Sequence, residues 1–180
     1  MNRREALSSV ALLLGGTIIG SSAFLSGCKA NPDAAAGVLS ASDMSLLNDI
    51  AEIIIPTTNT PGAKAAKVGE FMGVIVTDCY EAKDQKVFKD GLAALAAKFK
   101  AAAPEAQQKM IVDLDAEAKK YQETKKEDQP THHFTMIKQL TLWGYFSSEI
   151  GATQALRYVA IPGKYEGCIP YKKGDKAWAT

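Results

Sequence analysis

Side chains able to perform acid–base or metal chemistry are few and scattered along this chain of 180 residues. The two histidines, His132 and His133, are neighbours, and on a helix they would point about 100° apart without a carboxylate or thiol at ligand spacing. Asp113, Asp115 and Glu117 would spread around a helix and indicate a solvated face. We therefore predict a capping or surface role for the histidines, and neither a catalytic nor a metal site in this chain.

Cofactor motifs are also missing from the sequence. It contains no G-x-G-x-x-G turn for a dinucleotide and no C-x-x-C-H for haem, and its three cysteines are too few for a four-thiolate cluster. The run Ser147, Ser148 and Glu149 lacks a histidine at a recognisable spacing, which argues against a serine nucleophile. The sequence therefore predicts a chain that holds no cofactor of its own.

The overall charge is nearly balanced, with 21 lysine and arginine residues against 20 aspartate and glutamate residues. Nucleic-acid binding needs a concentrated positive field, so no nucleic-acid partner is predicted. A hydrophobic fraction of 47% and a charged fraction of 23% are typical of a folded domain, and the length indicates a single one.

Residues 1–27 form a predicted export signal, in which Arg3 and Arg4 precede a sixteen-residue apolar run. The run is short and glycine-rich for a permanent membrane span. The two arginines favour twin-arginine export, which carries folded proteins. Ala6 and Ser8 stand where that motif commonly has phenylalanine and lysine, so the general secretory route stays equally open.

The signal ends in the four residues Leu25, Ser26, Gly27 and Cys28. They resemble the lipobox of bacterial lipoproteins, an apolar residue and two small residues before a cysteine whose thiol accepts a diacylglycerol. The resemblance implies cleavage before Cys28, lipidation of its thiol and attachment to a bilayer through two or three acyl chains. Residues 28–38 then form the lipidated cysteine and a flexible tether.

Hydrophobic residues recur at helical spacing through most of the remaining chain, and no segment alternates as a strand would. Five helices are predicted: one capped by Ser40 or Ser42 and ended by Pro56, then about 65–80, about 83–102, one from Pro104 through Tyr121, and about 133–150. We predict an all-α domain over residues 39–180, a single compact unit with an irregular C-terminal tail.

Each predicted helix has one apolar face that should point into the core. The five faces carry Met44, Leu47, Ile50, Ala51 and Ile54; Val68, Phe71, Met72, Ile75 and Cys79; Phe88, Leu92, Leu95 and Phe99; Ile111, Leu114, Ala118 and Tyr121; and Phe134, Ile137, Leu140, Thr141 and Trp143.

Aromatic residues concentrate between residues 143 and 171, among glycines and prolines that oppose a long regular helix. They are Trp143, Tyr145, Phe146, Tyr158, Tyr165 and Tyr171. Tyrosine and tryptophan are favoured at protein interfaces because they bury a large area with few rotatable bonds. We predict that these residues form a partner interface; the alternative is that they complete the domain's own core.

Cys79 and Cys168 are the two thiols left once Cys28 is lipidated. An oxidising compartment favours a disulfide between them, which would clip the irregular tail to the second helix and stabilise the fold by ~2–4 kcal/mol. Two separate thiols are the alternative.

Three stretches of the chain occur in an order and spacing typical of a known family. They are Ile53–Ala63 followed by Val68 and Phe71; Phe88 with Gly91, Leu92 and Leu95; and Leu140–Gly151 followed by Tyr158, Pro162, Gly163 and Tyr165. In these stretches the chain resembles the gluconate 2-dehydrogenase subunit 3 family, the small subunits of membrane-associated flavin-dependent dehydrogenase complexes.

The resemblance implies an accessory role. In such complexes a large flavoprotein subunit of the glucose-methanol-choline type holds FAD and oxidises a sugar or polyol, and a cytochrome c or another carrier takes the electrons. The small subunit supplies no redox centre and supports export, maturation or stability of the large one. We expect a non-catalytic, lipid-anchored subunit facing the periplasm in the bacterial envelope, on the inner or the outer membrane. The alternative is a free-standing envelope lipoprotein that acts as a binding module unrelated to redox chemistry.

Overall fold

Five α-helices and one π-helical turn make up the regular structure of this computed structural model, which describes residues 37–161, 163–164 and 166–179. The elements are α1 (Ala41–Ile54), α2 (Val68–Cys79), α3 (Ala82–Ala101), α4 (Pro104–Thr124), α5 (His133–Ser147) and the π-helical turn Gly151–Ala155. Over these ranges there is no strand, so the all-α prediction is confirmed. The predicted signal and Cys28 lie outside the described residues.

Helix α1 begins where a side chain satisfies its free backbone N–H groups. The Oγ of Ser40 accepts a hydrogen bond from the backbone N–H of Asp43 at 3.2 Å, and the Asp43 carboxylate accepts one from the backbone N–H of Ser40 at 2.9 Å. This reciprocal capping box settles the choice between Ser40 and Ser42. Burial opposes ionisation of Asp43, but the hydrogen bonds from Ser40 outweigh it and lower the pKa of the carboxyl.

Helix α2 begins three residues later than predicted. Lys67 has a left-handed φ of 53°, which breaks the helical path immediately before Val68. At the other end the prediction that Cys79 faces the core was wrong, because Cys79 is exposed. The backbone turns to an extended conformation at Tyr80, and it is the Tyr80 ring, 6.4 Å from that of Phe88, that continues the apolar packing.

Helix α5 is the central element, since it packs against each of the other four helices. It contributes Phe134, Ile137, Leu140 and Thr141 to the buried core, as predicted. The predicted face of α3 is also buried completely, through Phe88, Leu92, Leu95 and Phe99. Helix α4 is the most peripheral, with only Ile111 and Ala118 fully buried and Leu114 and Tyr121 partly so.

The C-terminal end of α5 differs from the sequence-based expectation in two ways. The helix stops at Ser147 rather than near Ile150, because Ser148 turns extended and donates a hydrogen bond from its hydroxyl to the Tyr145 carbonyl at 2.6 Å. Trp143 was predicted to point inward, and it is 55% exposed. The helical turn brings Tyr145, two residues later, into the core instead.

Candidate partner-binding surface

Two aromatic side chains of α5 lie on the outside of the helix bundle. Trp143 and Phe146 are three residues apart and therefore share one face, with 55% and 39% of their surfaces exposed. The Trp143 ring meets the partly buried ring of Phe71 from α2 edge-to-face, with centroids 5.2 Å apart and planes at 89°. The Phe71 ring therefore holds the exposed indole of Trp143 in place. An aromatic side chain that is already held by a neighbour is well suited to contact a partner.

Gly144 allows this support. A Cβ atom at that position would lie 2.6 Å from Cδ1 of Phe71, closer than real carbon contacts permit. The missing side chain lets α5 approach α2 closely enough for Phe71 to reach the base of Trp143.

Tyr145 belongs to the core and not to the exposed surface, contrary to its place among the predicted interface residues. Only 2% of its surface is exposed, and its hydroxyl donates a hydrogen bond to the Pro61 carbonyl at 2.7 Å. Because that carbonyl belongs to the loop 56–63, Tyr145 links the loop to the end of α5. The loop is therefore tied to the buried face of α5.

The loop 56–63 is held in shape by Glu52, a residue that the sequence did not single out. Its carboxylate accepts hydrogen bonds from the backbone N–H and the hydroxyl of Thr57, at 2.9 and 2.7 Å, and from the backbone N–H of Lys64 at 3.0 Å. Burial opposes its ionisation, but these hydrogen bonds outweigh that effect and lower the pKa of the carboxyl. In the sequence, an acidic residue one helical turn before a Pro-Thr-Thr segment is the feature that could have predicted this loop-stabilising role.

The chain after the π-helical turn forms an exposed loop, residues 156–179, which we call the C-terminal loop. None of its large apolar residues whose positions are described enters the core; Tyr158, Ile161 and Tyr171 are 55%, 85% and 76% exposed. Tyr165 lies outside the described residues. Of the six predicted interface aromatics, four are thus exposed, one is buried and one is not described.

The base of the C-terminal loop is closed by contacts between its two ends. The backbone N–H of Arg157 donates to the Ala177 carbonyl at 2.8 Å, and that of Ala179 donates to the Arg157 carbonyl at 3.0 Å. The Arg157 guanidinium lies over the Trp178 ring, 3.8 Å from its centroid. This role of Trp178 was not predicted from the sequence. A single tryptophan in an otherwise polar C-terminal segment is the feature of the sequence that could have indicated it.

Cys79 and Cys168 are both exposed and unbonded in the structure. The disulfide expected from the sequence is not formed here, and its formation in the oxidised protein stays a prediction. Intact mass before and after reduction measures it directly.

The histidine pair lies at the start of α5. Nδ1 of His132 accepts a hydrogen bond from the backbone N–H of Phe134 at 3.2 Å, so the predicted capping role is confirmed for this residue. His133 is half-buried, and this burial, together with the neighbouring His132, lowers the pKa of its imidazole. In the part of the chain that the structure describes, no three His, Cys, Asp or Glu side chains are grouped to hold a metal ion.

None of the helices between residues 37 and 179 for which the structure gives positions is long and apolar enough to cross a bilayer. Comparison with curated proteins and with solved structures gives no match. The sequence model of one family, described as gluconate 2-dehydrogenase subunit 3, matches residues 41–163, which is more than half of the chain and includes all five helices. The chain belongs to the gluconate 2-dehydrogenase subunit 3 family, whose members are accessory subunits of dehydrogenase complexes.

Proposed function

We propose that this chain is the non-catalytic, lipid-anchored small subunit of a flavin-dependent sugar or alcohol dehydrogenase in the bacterial envelope. The observation that carries the proposal is the family match over residues 41–163. In this role the chain supports export and maturation of a large FAD-binding subunit of the glucose-methanol-choline type and tethers it to the membrane. FAD belongs to that partner, and a cytochrome c is the expected electron acceptor.

The partner is bound through the aromatic region around the end of α5. Trp143 and Phe146 provide the exposed anchor residues, and the exposed Tyr158 and Tyr171 of the C-terminal loop are assigned to the same interface. Aromatic side chains that are already supported by neighbours lose little conformational entropy on binding. The exposed part of the loop 56–63, which is linked to α5 through Tyr145, is proposed as a second, polar contact with the partner.

Membrane attachment is assigned to Cys28. Two or more acyl chains on this residue are needed for lasting attachment, since a single chain binds a bilayer reversibly. The described domain starts beside α2, where the backbone N–H of Val38 donates to the Thr77 hydroxyl at 3.2 Å and Leu39 is buried. The eight residues between Cys28 and Gly37 allow a separation of at most about 30 Å, so the bound flavoprotein is kept near the bilayer.

Export by the twin-arginine route fits this function best. That route carries folded proteins, so a flavoprotein already loaded with FAD and bound to this chain is able to travel on the signal of Arg3 and Arg4. The departures from the motif at Ala6 and Ser8 keep the general secretory route as the competing proposal.

Pull-down of the tagged full-length chain from detergent-solubilised envelope tests the function. We expect a much larger FAD-containing protein in the eluate, and loss of its dehydrogenase activity from the envelope when the gene for this chain is deleted. Unchanged activity and location after deletion would contradict the proposal and favour a free-standing binding module. Flavin bound to the purified chain alone would contradict the assignment of FAD to the partner.

A further inference from the structure

The C-terminal loop differs in charge from the helical part of the chain. Residues 156–179 carry five cationic side chains against two carboxylates, whereas residues 37–155 carry 13 lysines against 16 carboxylates. The cations are Arg157, Lys164, Lys172, Lys173 and Lys176. A nearly neutral protein therefore has its excess positive charge concentrated in one exposed segment.

These charges are only partly compensated within the structure. Lys164 pairs with Glu166 at 2.6 Å, and the Arg157 guanidinium lies over the Trp178 ring. No ion pair joins the loop to the helices among the residues whose positions are described. The loop therefore does not use the acidic surface of its own domain as its counter-charge.

Two of the lysines are presented at a tight turn. The backbone N–H of Asp175 donates to the Lys172 carbonyl at 3.0 Å, and the Asp175 carboxylate accepts a hydrogen bond from the Lys172 backbone N–H at 2.9 Å. Gly174 has a φ of 98°, the conformation that glycine adopts at the third position of such turns. Lys172 and Lys173 are both exposed at this turn, next to the largely exposed ring of Tyr171.

We propose that the C-terminal loop docks on an apolar groove of the flavoprotein partner whose rim is acidic, so that the lysines steer association and the apolar side chains set the lifetime of the complex. This inference rests on the proposed function, which supplies a protein partner. The family match supplies such a partner, another subunit of the dehydrogenase complex, and the five cations against two carboxylates of the loop are complementary to an acidic rim.

Charge reversal separates the steering effect from a general effect of charge. The flavoprotein that is recovered with the full-length chain is immobilised, and association and dissociation rates are measured at about 50 mM and about 500 mM salt. We expect Lys172→Glu with Lys173→Glu to lower the association rate about tenfold at low salt, with a smaller difference at high salt. The matched control is Lys119→Glu with Lys120→Glu, an adjacent exposed lysine pair on α4, which should change the rate less than about twofold.

Removal of apolar surface tests the second half of the proposal. Tyr171→Ser should raise the dissociation rate about tenfold while leaving the association rate nearly unchanged. Val112→Ser is the control, because Val112 is 61% exposed on α4 and lies outside the C-terminal loop. All four variants alter exposed side chains, and circular dichroism establishes that each is folded.

The outcomes of these experiments distinguish a failure of the proposed function from a failure of the docking inference alone. If the unaltered chain captures no flavoprotein, the proposed function fails and this inference with it. If the unaltered chain captures the flavoprotein and the Lys172/Lys173 variant associates equally fast at both salt concentrations, only the inference is overturned. It is also overturned if that variant binds the flavoprotein normally but loses binding to vesicles of anionic phospholipid.

Discussion

Trp143 and Tyr145 show how one helix assigns opposite roles to neighbouring aromatic residues. Residues two positions apart on a helix point about 200° away from each other. The Trp143 ring is therefore 55% exposed, whereas Tyr145 is 2% exposed and its hydroxyl donates a hydrogen bond to the Pro61 carbonyl. Their residue types alone predicted a shared interface role. At the scale of single residues, burial is what separates a structural aromatic residue from one available to a partner.

Trp143→Ala should weaken binding of the flavoprotein at least tenfold, because truncation removes a large, supported contact residue worth about 2 kcal/mol at an interface. Its own fold should lose less than about 1 kcal/mol, since the ring is mainly exposed. Titration of the partner and thermal unfolding measure the two effects. Leu142→Ala is the control, as Leu142 is 41% exposed and points about 100° away on the same helix. Equal losses of affinity in both variants would contradict the assignment of Trp143 as an anchor residue of the interface.

His133 should make the fold less stable in mild acid. Burial and the nearby His132 lower the pKa of its imidazole in the folded state, against a weaker opposite effect of Glu117. The unfolded chain, with the ordinary value of about 6.5, then binds more protons, so the free energy of unfolding falls as the pH drops below about 6.5. The carboxyls with lowered pKa values, Asp43 and Glu52, lose their contribution only at lower pH. Urea unfolding at several pH values measures how the free energy of unfolding changes with pH. This pH dependence should be weaker in His133→Gln, and an unchanged pH dependence would show that His133 is not its cause.

At the scale of elements, α5 connects the core to the candidate surface. One side of the helix supplies Phe134, Ile137 and Tyr145 to the core, and the other presents Trp143 and Phe146 to solvent. Its close approach to α2 depends on Gly144, and its link to the loop 56–63 depends on Tyr145. The aromatic surface is therefore positioned by the packing of the bundle.

Gly144→Ala should destabilise the fold by about 1–3 kcal/mol, because the added methyl group would lie 2.6 Å from the Phe71 ring, and either that ring or one of the two helices must shift. The same shift should move Trp143 and weaken partner binding. Gly163→Ala is the matched control, since a Cβ there has nothing within 4 Å, and it should change stability by less than about 0.5 kcal/mol. Urea unfolding compares the two, and similar stabilities would show that the helices accommodate the methyl group.

At the scale of the whole molecule, the proposed role divides the chain into parts with separate tasks. In this proposal the signal with Arg3 and Arg4 is assigned to export, Cys28 to membrane attachment, and the domain of residues 39–180 to partner binding. The cationic C-terminal loop and the more acidic helices also divide the charge within that domain. Such a division predicts that anchoring and partner binding fail independently.

Cys28→Ala should release the chain and its bound flavoprotein from the membrane while leaving the capture of flavoprotein intact. The thiol is the acceptor of the proposed diacylglycerol, and without two or more acyl chains membrane attachment does not last. Fractionation of cells followed by pull-down measures both properties. A substitution at Cys168 is the control, because that thiol lies in the C-terminal loop and should leave membrane attachment unchanged. Continued membrane attachment of Cys28→Ala would contradict the lipid anchor.

The helical class, the number of α-helices and most of the core could be predicted from the amino-acid sequence. Periodic apolar residues such as Phe88, Leu92 and Phe99 must be buried together, and a local cap such as Ser40 marks a helix start without reference to the rest of the chain. Family membership followed from the order and spacing of short stretches along the chain, which likewise needs no three-dimensional information.

The folded arrangement was needed to establish which aromatic residues face outward, where α2 begins and α5 ends, and how Glu52 orders the loop 56–63. Whether an aromatic residue faces outward or inward depends on contacts between residues distant in sequence, such as Tyr145 with Pro61 or Trp143 with Phe71. A helical repeat defines an apolar face only to within one or two side chains. The helices packed around that face decide which of the marginal side chains are covered.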